Sequence, residues 1–77
     1  MNATRRNELK NINEQVDEIR EQLKDILSDE QEYYDNMPES LQGSERGQAS
    51  EGAISDIECA ISDLHSVDDY LRGVFQN

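Results

Sequence analysis

Cysteine, proline and aromatic residues are scarce in this 77-residue chain, and long apolar runs are missing altogether. A single cysteine excludes an internal disulfide and suits a reducing compartment. No apolar run approaches the roughly 20 residues of a membrane-spanning helix, and Met1 to Lys10 lack the apolar stretch of a signal peptide. We therefore expect a cytoplasmic chain that does not enter a membrane.

Positive charge is also scarce, because 7 basic side chains stand against 18 acidic ones and the net charge is −11. Proteins that bind nucleic-acid backbones carry a basic patch, and anionic membrane surfaces attract clusters of Lys and Arg. The composition therefore argues against direct contact with nucleic acid or a membrane surface. It favours either attraction to a basic protein surface or a simple role of the charge in solubility.

The apolar residues that are present recur at alternating intervals of three and four. In the first half they are Leu9, Ile12, Val16, Ile19, Leu23 and Ile26, and in the second half they are Ile54, Ile57, Ile61, Leu64, Leu71 and Phe75. A repeat of 3.5 residues is the mark of coiled-coil helices. We predict an all-α protein, a single antiparallel two-helix hairpin over residues 1–77.

The segment between the two halves predicts where the helices end. Pro38 pushes the residue before it out of the helical region, Gly43 interrupts the chain and Ser44 is a good N-cap. We expect the first helix over about 4–36, a turn over about 37–43 that contains one helical turn after Pro38, and the second helix over about 44–75.

The register of a hairpin follows from the spacing, because facing residues keep a constant relation along two antiparallel helices. The best match sets Ile26 against Ile54 and the bulky Tyr33 against Gly47. It also sets Ile12 against Asp68, the one polar residue that breaks the second repeat. Such a polar core residue often fixes register or oligomeric state, and we expect Arg5 or Arg72 to reach it.

Two helices alone bury little, and the apolar stripe is wider than a two-helix seam needs. We expect a homodimer, an antiparallel four-helix bundle, in which the extra residues face the second copy. The alternative is that a foreign protein docks on the same stripe. The residues we assign to self-association are Leu27, Ala53, Ala60, Val67 and Val74.

Acidic residues are concentrated near the turn. Residues 29–63 carry a net charge of −9, whereas residues 1–28 and residues 64–77 carry −1 each. Folding as a hairpin gathers this charge at one end, where it would attract a basic partner. The alternative is a solvated face. The residues we assign to partner binding are Glu30, Glu32, Tyr34, Asp35, Glu39, Glu45 and Glu51.

No pattern in the sequence predicts catalysis, a cofactor or a metal ion. Cys59 and His65 are six residues apart, which does not place them together on one helix face. His65 lies near Asp68 and Asp69, but one histidine with surface carboxylates is weak as a metal site. Carboxylates on exposed helix faces lack the burial that raises a pKa for acid catalysis. We expect that the chain is not an enzyme.

The connection from Asn36 to Gly47, read as Asn-Met-Pro-Glu-Ser-Leu-Gln-Gly-Ser-Glu-Arg-Gly, resembles small acidic proteins encoded by bacteriophages and prophages. The segment from Ala53 to Leu64 is similar to their second helix, and the likeness covers nearly the whole chain. The group is functionally uncharacterised, so the resemblance implies a helical hairpin and a viral origin but assigns no catalytic or ligand residues. It also implies that the chain acts inside an infected bacterium.

Two hypotheses follow. In the first, the chain is an acidic inhibitor that occupies a basic surface of a host protein of defence or nucleic-acid processing, as a mimic of nucleic-acid charge. In the second, it is a structural coiled-coil component of a virion or scaffold, and self-association is its only interaction.

Overall fold

Residues 1–76, as described by the computed structural model, form an all-helical hairpin. Helix α1 runs over Ala3–Asp35, the one-turn helix α2 over Glu39–Gln42 and helix α3 over Glu45–Phe75. Hydrogen bonds join Asn13 to Asp68 and Tyr34 to Glu51, so α1 and α3 run in opposite directions. The hairpin is a rod of 58 × 15 × 13 Å.

The helix ends are set by local capping. The Asn2 side chain accepts a hydrogen bond from the Arg5 amide at 2.8 Å, and Ser44 caps α3 in the same way. Pro38 precedes α2, and the Gln42 amide donates to the carbonyls of Tyr34 and Met37 at 3.3 and 3.1 Å. These bonds satisfy carbonyl groups near the end of α1. Each long helix begins and ends within one residue of its expected position.

The predicted seam is found on α3, but on α1 only Leu9, Val16 and Leu23 of the expected residues belong to it. Along α3 the expected residues are buried or half-buried, from Ile54 through Leu71 to Phe75. On α1, by contrast, Ile12, Ile19 and Ile26 remain 46%, 48% and 53% exposed. The residues of α1 that lie against α3 are Leu9, Asn13, Val16, Arg20, Leu23, Leu27 and Tyr34.

The face of α1 that packs on α3 is therefore rotated by about 50° from the face expected from the sequence. This is half of the 100° between successive residues, because only the isoleucine row is shifted by one position. The physical reason is Asp68, which is buried at 5% exposure on the face of α3 toward α1. Ile12 could offer it no hydrogen bond, and a buried carboxylate without partners is costly. The rotation brings in Asn13, whose amide donates to Asp68 Oδ1 at 2.6 Å.

Asp68 is the centre of a polar network between the helices. Arg72 Nε donates to Asp68 Oδ2 at 2.8 Å, and Arg72 Nη2 reaches Asp17 Oδ2 on α1 at 3.3 Å. Arg72 therefore reaches Asp68 as expected, whereas Arg5 is not among the partners of Asp68. Asn13 is the most completely buried side chain among the described residues, at 2% exposure.

The two carboxyl groups of this network titrate differently. The hydrogen bond from Arg72 is the main reason that the pKa of Asp68 falls from 3.8 to about 2, against the opposing effect of burial. The neighbouring Asp68 raises the pKa of Asp17, and burial raises it further. Asp17 Oδ1 accepts no hydrogen bond, and the positive charges of Arg20, 3.7 Å from this oxygen, and of Arg72 oppose the rise in its pKa.

The hairpin has two unlike edges. On the first, which we call the polar edge, the helices are joined by side-chain pairs: Asp17 with Arg72, Arg20 with His65, and Tyr34 with Glu51. The second, the apolar edge, consists of Ile12, Ile19, Ile26, Tyr33, Leu41, Ala53, Ala60, Val67, Tyr70 and Val74.

The residues of the apolar edge share one position relative to the seam. Most come directly before a residue that faces the other helix, as Ile12 precedes Asn13 and Val67 precedes Asp68. In antiparallel helices these two rows flank the same side of the seam. Accordingly, Tyr33 of α1 and Arg46 of α3 line one cleft of about 300 Å³ together with Leu41. Eight of the nine large apolar side chains that are exposed lie on this edge, the ninth being Met1.

Gly47 is buried for a different reason from the one expected. Tyr33, its predicted neighbour, is 47% exposed. A Cβ atom at Gly47 would lie 2.0 Å from the carbonyl oxygen of Gln42, because α2 folds back onto the first turn of α3. The small residue therefore permits the close approach of two backbones in the connection.

We predict that Gly47→Ala destabilises the hairpin by about 1–3 kcal/mol, as over-packing does. Gly52→Ala is the matched control, because a Cβ there meets nothing within 4 Å and alanine favours a helix interior. The control should gain about 0.5–1 kcal/mol. Urea unfolding followed by circular dichroism measures both free energies. Equal effects of the two substitutions would contradict the close approach at Gly47.

We predict that the free energy of unfolding depends on pH through Asp17 and Asp68. As the pH falls from 7 toward 4, folded Asp17 takes up a proton before unfolded Asp17 does, so stability rises. As the pH falls further toward 2, the unfolded chain protonates Asp68 first, so stability is lost.

Variants that remove one carboxyl group each test the two pH ranges. Asp17→Asn should reduce the gain in stability between pH 7 and pH 4. Asp68→Asn should reduce the loss below pH 4 and also the gain above it, because Asp68 is the main reason that the pKa of Asp17 is raised. Urea unfolding at a series of pH values measures both. A wild-type profile unchanged by either substitution would show that the network does not titrate in this way.

Candidate functional site

The candidate site is the end of the rod that contains the turn. We call the seven residues assigned to partner binding the acidic turn end: Glu30, Glu32, Tyr34, Asp35, Glu39, Glu45 and Glu51. Glu30 and Tyr34 are half-buried on the face of α1 toward α3, and the other five are exposed. The carboxylates are distributed around the end of the rod on all three helices rather than on one face.

Tyr34 and Glu51 are already bonded to each other. The Tyr34 hydroxyl donates to a carboxylate oxygen of Glu51 across the helix pair. This bond, together with partial burial and the negative charge nearby, raises the pKa of Tyr34. The pair fastens α1 to α3 beside the turn, so it positions the acidic turn end as well as contributing charge to it.

The carboxylates near the turn are not neutralised within the hairpin. The five ion pairs of the described residues all lie in residues 17–24 and 65–72, among them Lys24 with Glu21 and Arg72 with Asp68. Arg46, the single base of residues 29–63, takes part in none of them. The acidic turn end therefore keeps its full charge for the solvent or for a partner.

The helix dipole increases this negative potential. The last turn of α1 contains Glu32 and Asp35 and no base, although cations are preferred at a helix C-terminus. Asp35 accepts a hydrogen bond from Gln31 at 3.0 Å, which leaves its charge in place. The acids at this end consequently work against the stability of α1 rather than for it.

Cys59 and His65 do not form a reactive pair. Cys59 is exposed and free, and His65 contacts Arg20 at 3.2 Å and Asp69 at 3.7 Å instead. Within residues 1–76, no group of three or more histidine, cysteine and acidic side chains is placed to hold a metal ion.

The residues assigned to self-association fall in two places. Leu27 is half-buried on the face of α1 that packs on α3, so it belongs to the seam. Ala53, Ala60, Val67 and Val74 lie on the apolar edge, where Ala53 is half-buried and the other three are exposed. Sequence reasoning placed Ile12, Ile19 and Ile26 in the seam and overlooked Tyr70.

The signal that could have found these residues is Asp68. A buried carboxylate needs a hydrogen-bond donor on the facing helix. Asn13, which carries such a donor, is next in sequence to the expected neighbour Ile12. Choosing Asn13 instead of Ile12 rotates the whole isoleucine row out of the seam. Tyr70 then lies three residues from Val67 and four from Val74, within reach of both on one helix face.

We predict that Tyr34 titrates above the ordinary tyrosine pKa of about 10 and that Glu51→Gln lowers its pKa. The neutral amide removes the charge that opposes the phenolate. The absorbance of tyrosinate during alkaline titration measures this, and subtracting the Tyr34→Phe curve assigns the signal. A Tyr34 pKa that Glu51→Gln leaves unchanged would exclude the negative charge of Glu51 as a cause of the shift.

Comparison with known proteins leaves the site to be judged on its own geometry. No protein-family model matches the sequence, and neither a curated protein nor a solved structure matches it. Within residues 1–76, no helix is both long enough and apolar enough to cross a membrane.

Proposed function

We propose that this chain is a non-enzymatic acidic binding protein of phage origin that inhibits a host protein by occupying its basic surface. The target belongs to host defence or nucleic-acid processing, and the carboxylates imitate the charge of nucleic acid. The protein acts as a homodimer in the cytoplasm of the infected bacterium. The acidic turn end makes the contact.

The observation that carries this proposal is the segregation of the ion pairs. The ion pairs of Arg20, Lys24 and Arg72 all lie in residues 17–24 and 65–72. Residues 29–63 contain ten acids and a single base, and none of these forms an ion pair within the described residues. A purely solubilising charge has no need to be concentrated at one end.

The physical basis of binding would be long-range attraction followed by pairing. Unpaired carboxylates at the end of a rod steer a basic surface toward it and accelerate association at low salt. Arg and Lys side chains of the target, which otherwise hold phosphates, can then bond to carboxylates. Because Tyr34, Gln42 and Ser44 fasten the connection, little of the site needs to be ordered on binding.

We predict that Glu32→Lys, Glu39→Lys and Glu45→Lys together abolish capture of the target. All three side chains are exposed and form no ion pair or side-chain hydrogen bond, so the fold should survive. The wild-type protein or the triple variant is used as the bait in host lysate at low and moderate salt. The captured proteins are quantified by mass spectrometry. A salt-sensitive nucleic-acid-binding protein should be captured by wild type and fall at least about tenfold with the triple variant.

The matched control changes the same total charge in the other half of the rod. Glu8→Lys, Glu14→Lys and Glu18→Lys alter three exposed residues of α1 that likewise form no ion pair. This control variant should still capture the target. If both triple variants lose it equally, or if neither does, the acidic turn end is not the binding site.

A structural role in a virion or scaffold is the second candidate function, and the apolar edge favours it. In that case Val67→Asp or Ala60→Asp should abolish assembly and function together, while changes of acid to Lys at the turn should have mild effects. Recovery of the bait alone from host lysate would support this candidate over the first.

A further inference from the structure

The apolar edge is the largest feature of the molecule that the hairpin itself does not use. Its eight large side chains are between 39% and 77% exposed, and they extend along both long helices. On α3 the two positions that precede Tyr70 in the heptad repeat are Asp56 and Asp63, so acidic side chains border this part of the edge. Large apolar side chains exposed in this number on one edge mark a site of contact with another chain.

The hairpin also exposes more surface than a compact protein of its size. Its accessible surface is 5550 Å², whereas a compact monomer of 8.8 kDa is expected to expose about 4,800 Å². The difference is about 750 Å², close to the roughly 800 Å² that each partner buries in a standard interface. Among the described residues, only Met37 and Ile54 are buried apolar side chains. A second protein surface on the apolar edge would add to this small apolar core.

We propose that a second copy of this chain covers the apolar edge, with the turn of each copy beside the chain ends of the other. This deepens the homodimer of the proposed function, and it does not depend on any target. The pairing is a two-fold one in which α1 faces the second copy's α1 and α3 faces its α3. The product is an antiparallel four-helix bundle.

The first argument for a second copy is that both rows of the edge are symmetric. The α1 row repeats every seven residues about its centre at Ile19, and its members are Arg5, Ile12, Ile19, Ile26 and Tyr33. The α3 row, continued to Arg46 as the α1 row is to Arg5, has its centre at Ala60, and its members are Arg46, Ala53, Ala60, Val67 and Val74. Across a two-fold axis at these centres, Ala53 would meet the second copy's Val67, and Arg5 would meet the second copy's Tyr33.

The two centres also coincide along the rod. The hydrogen bond between Asn13 and Asp68 sets the register of the hairpin, so Ile19 lies level with Ser62. Ala60, the centre of the α3 row, is two residues from Ser62, a shift of about 3 Å at 1.5 Å per residue. One two-fold axis therefore fits both rows.

The second argument is electrostatic and selects the orientation. A parallel pair would place the two turn halves side by side, each with a net charge of −8 over residues 20–61. The antiparallel pair places each turn half beside the other copy's end segments, residues 1–19 and 62–77, which carry −1 and −2. Like charges at short range disfavour the parallel pair.

The orientation is tested by a cysteine on the proposed axis. In a Cys59→Ser background, Ile19→Cys should form a disulfide-linked dimer under mild oxidation that keeps its helical circular dichroism. Glu18→Cys is the matched control, because Glu18 is exposed and lies outside the apolar edge. It should stay uncrosslinked. A dimer without the Ile19→Cys crosslink would be parallel or use another face, and either result overturns the proposal.

The edge itself is tested by sedimentation of the purified protein without any target. Wild type should sediment at twice the 8.8 kDa of one chain. Val67→Asp should raise the dimer dissociation constant at least about tenfold, whereas the neighbouring exposed change Ser66→Asp should not. A folded wild-type monomer at high micromolar concentration would leave the edge to a foreign chain and overturn the proposal. Capture of a target by such a monomer would still support the proposed function.

Discussion

A single buried pair, Asn13 and Asp68, decides which face of α1 meets α3. Asp68 cannot be buried without donors, and Arg72 from its own helix supplies only part of what a carboxylate accepts. Asn13 supplies the rest from the facing helix at 2.6 Å. As a consequence, the row of Ile12, Ile19 and Ile26 lies outside the seam. The pair therefore lowers the apolar burial within one hairpin while fixing its register, as polar residues in coiled-coil cores do.

The consequence of this rotation is that the surfaces of the rod differ in chemistry. The polar edge holds the cross-helix side-chain pairs, the opposite edge holds the large exposed apolar side chains, and the turn holds the unpaired carboxylates. An interaction at one of these surfaces can therefore proceed without competing with the others, because the acids of the turn lie at the end of the rod and the apolar edge runs along its length.

The helices and their ends could be predicted from the sequence, because spacing, Pro38 and the caps at Asn2 and Ser44 act locally. The seam of α3 could be predicted too. On α1 the spacing placed Leu9, Val16 and Leu23 correctly in the seam. It could not decide between the isoleucine row and the row containing Asn13, Arg20 and Leu27, since both are regular and only a contact across 55 residues chooses between them. Gly47 was misassigned because its neighbour is the Gln42 backbone, and backbone approach leaves no hydropathy signal.

For the acidic turn end, the charge could be counted from the sequence, but the lack of internal partners could not, because it depends on where each base lies in three dimensions. These unpaired acids connect the proposed inhibitor with the proposed dimer. In the antiparallel pair the two acidic ends would be displayed at opposite ends of a rod about as long as one hairpin, 58 Å. A basic target with two sites at that separation, or two copies of a target, would then be engaged by both ends, and the second contact would be strengthened by the first.

A parallel pair would instead merge the two acidic ends into one site of doubled charge. In the proposed dimer, the orientation would therefore determine how many separate acidic ends are presented. Asn13 would contribute to the fit, because its bond to Asp68 sets the register between the two rows of the apolar edge. A buried amide in the seam would thus contribute to how many targets the acidic ends can engage at once.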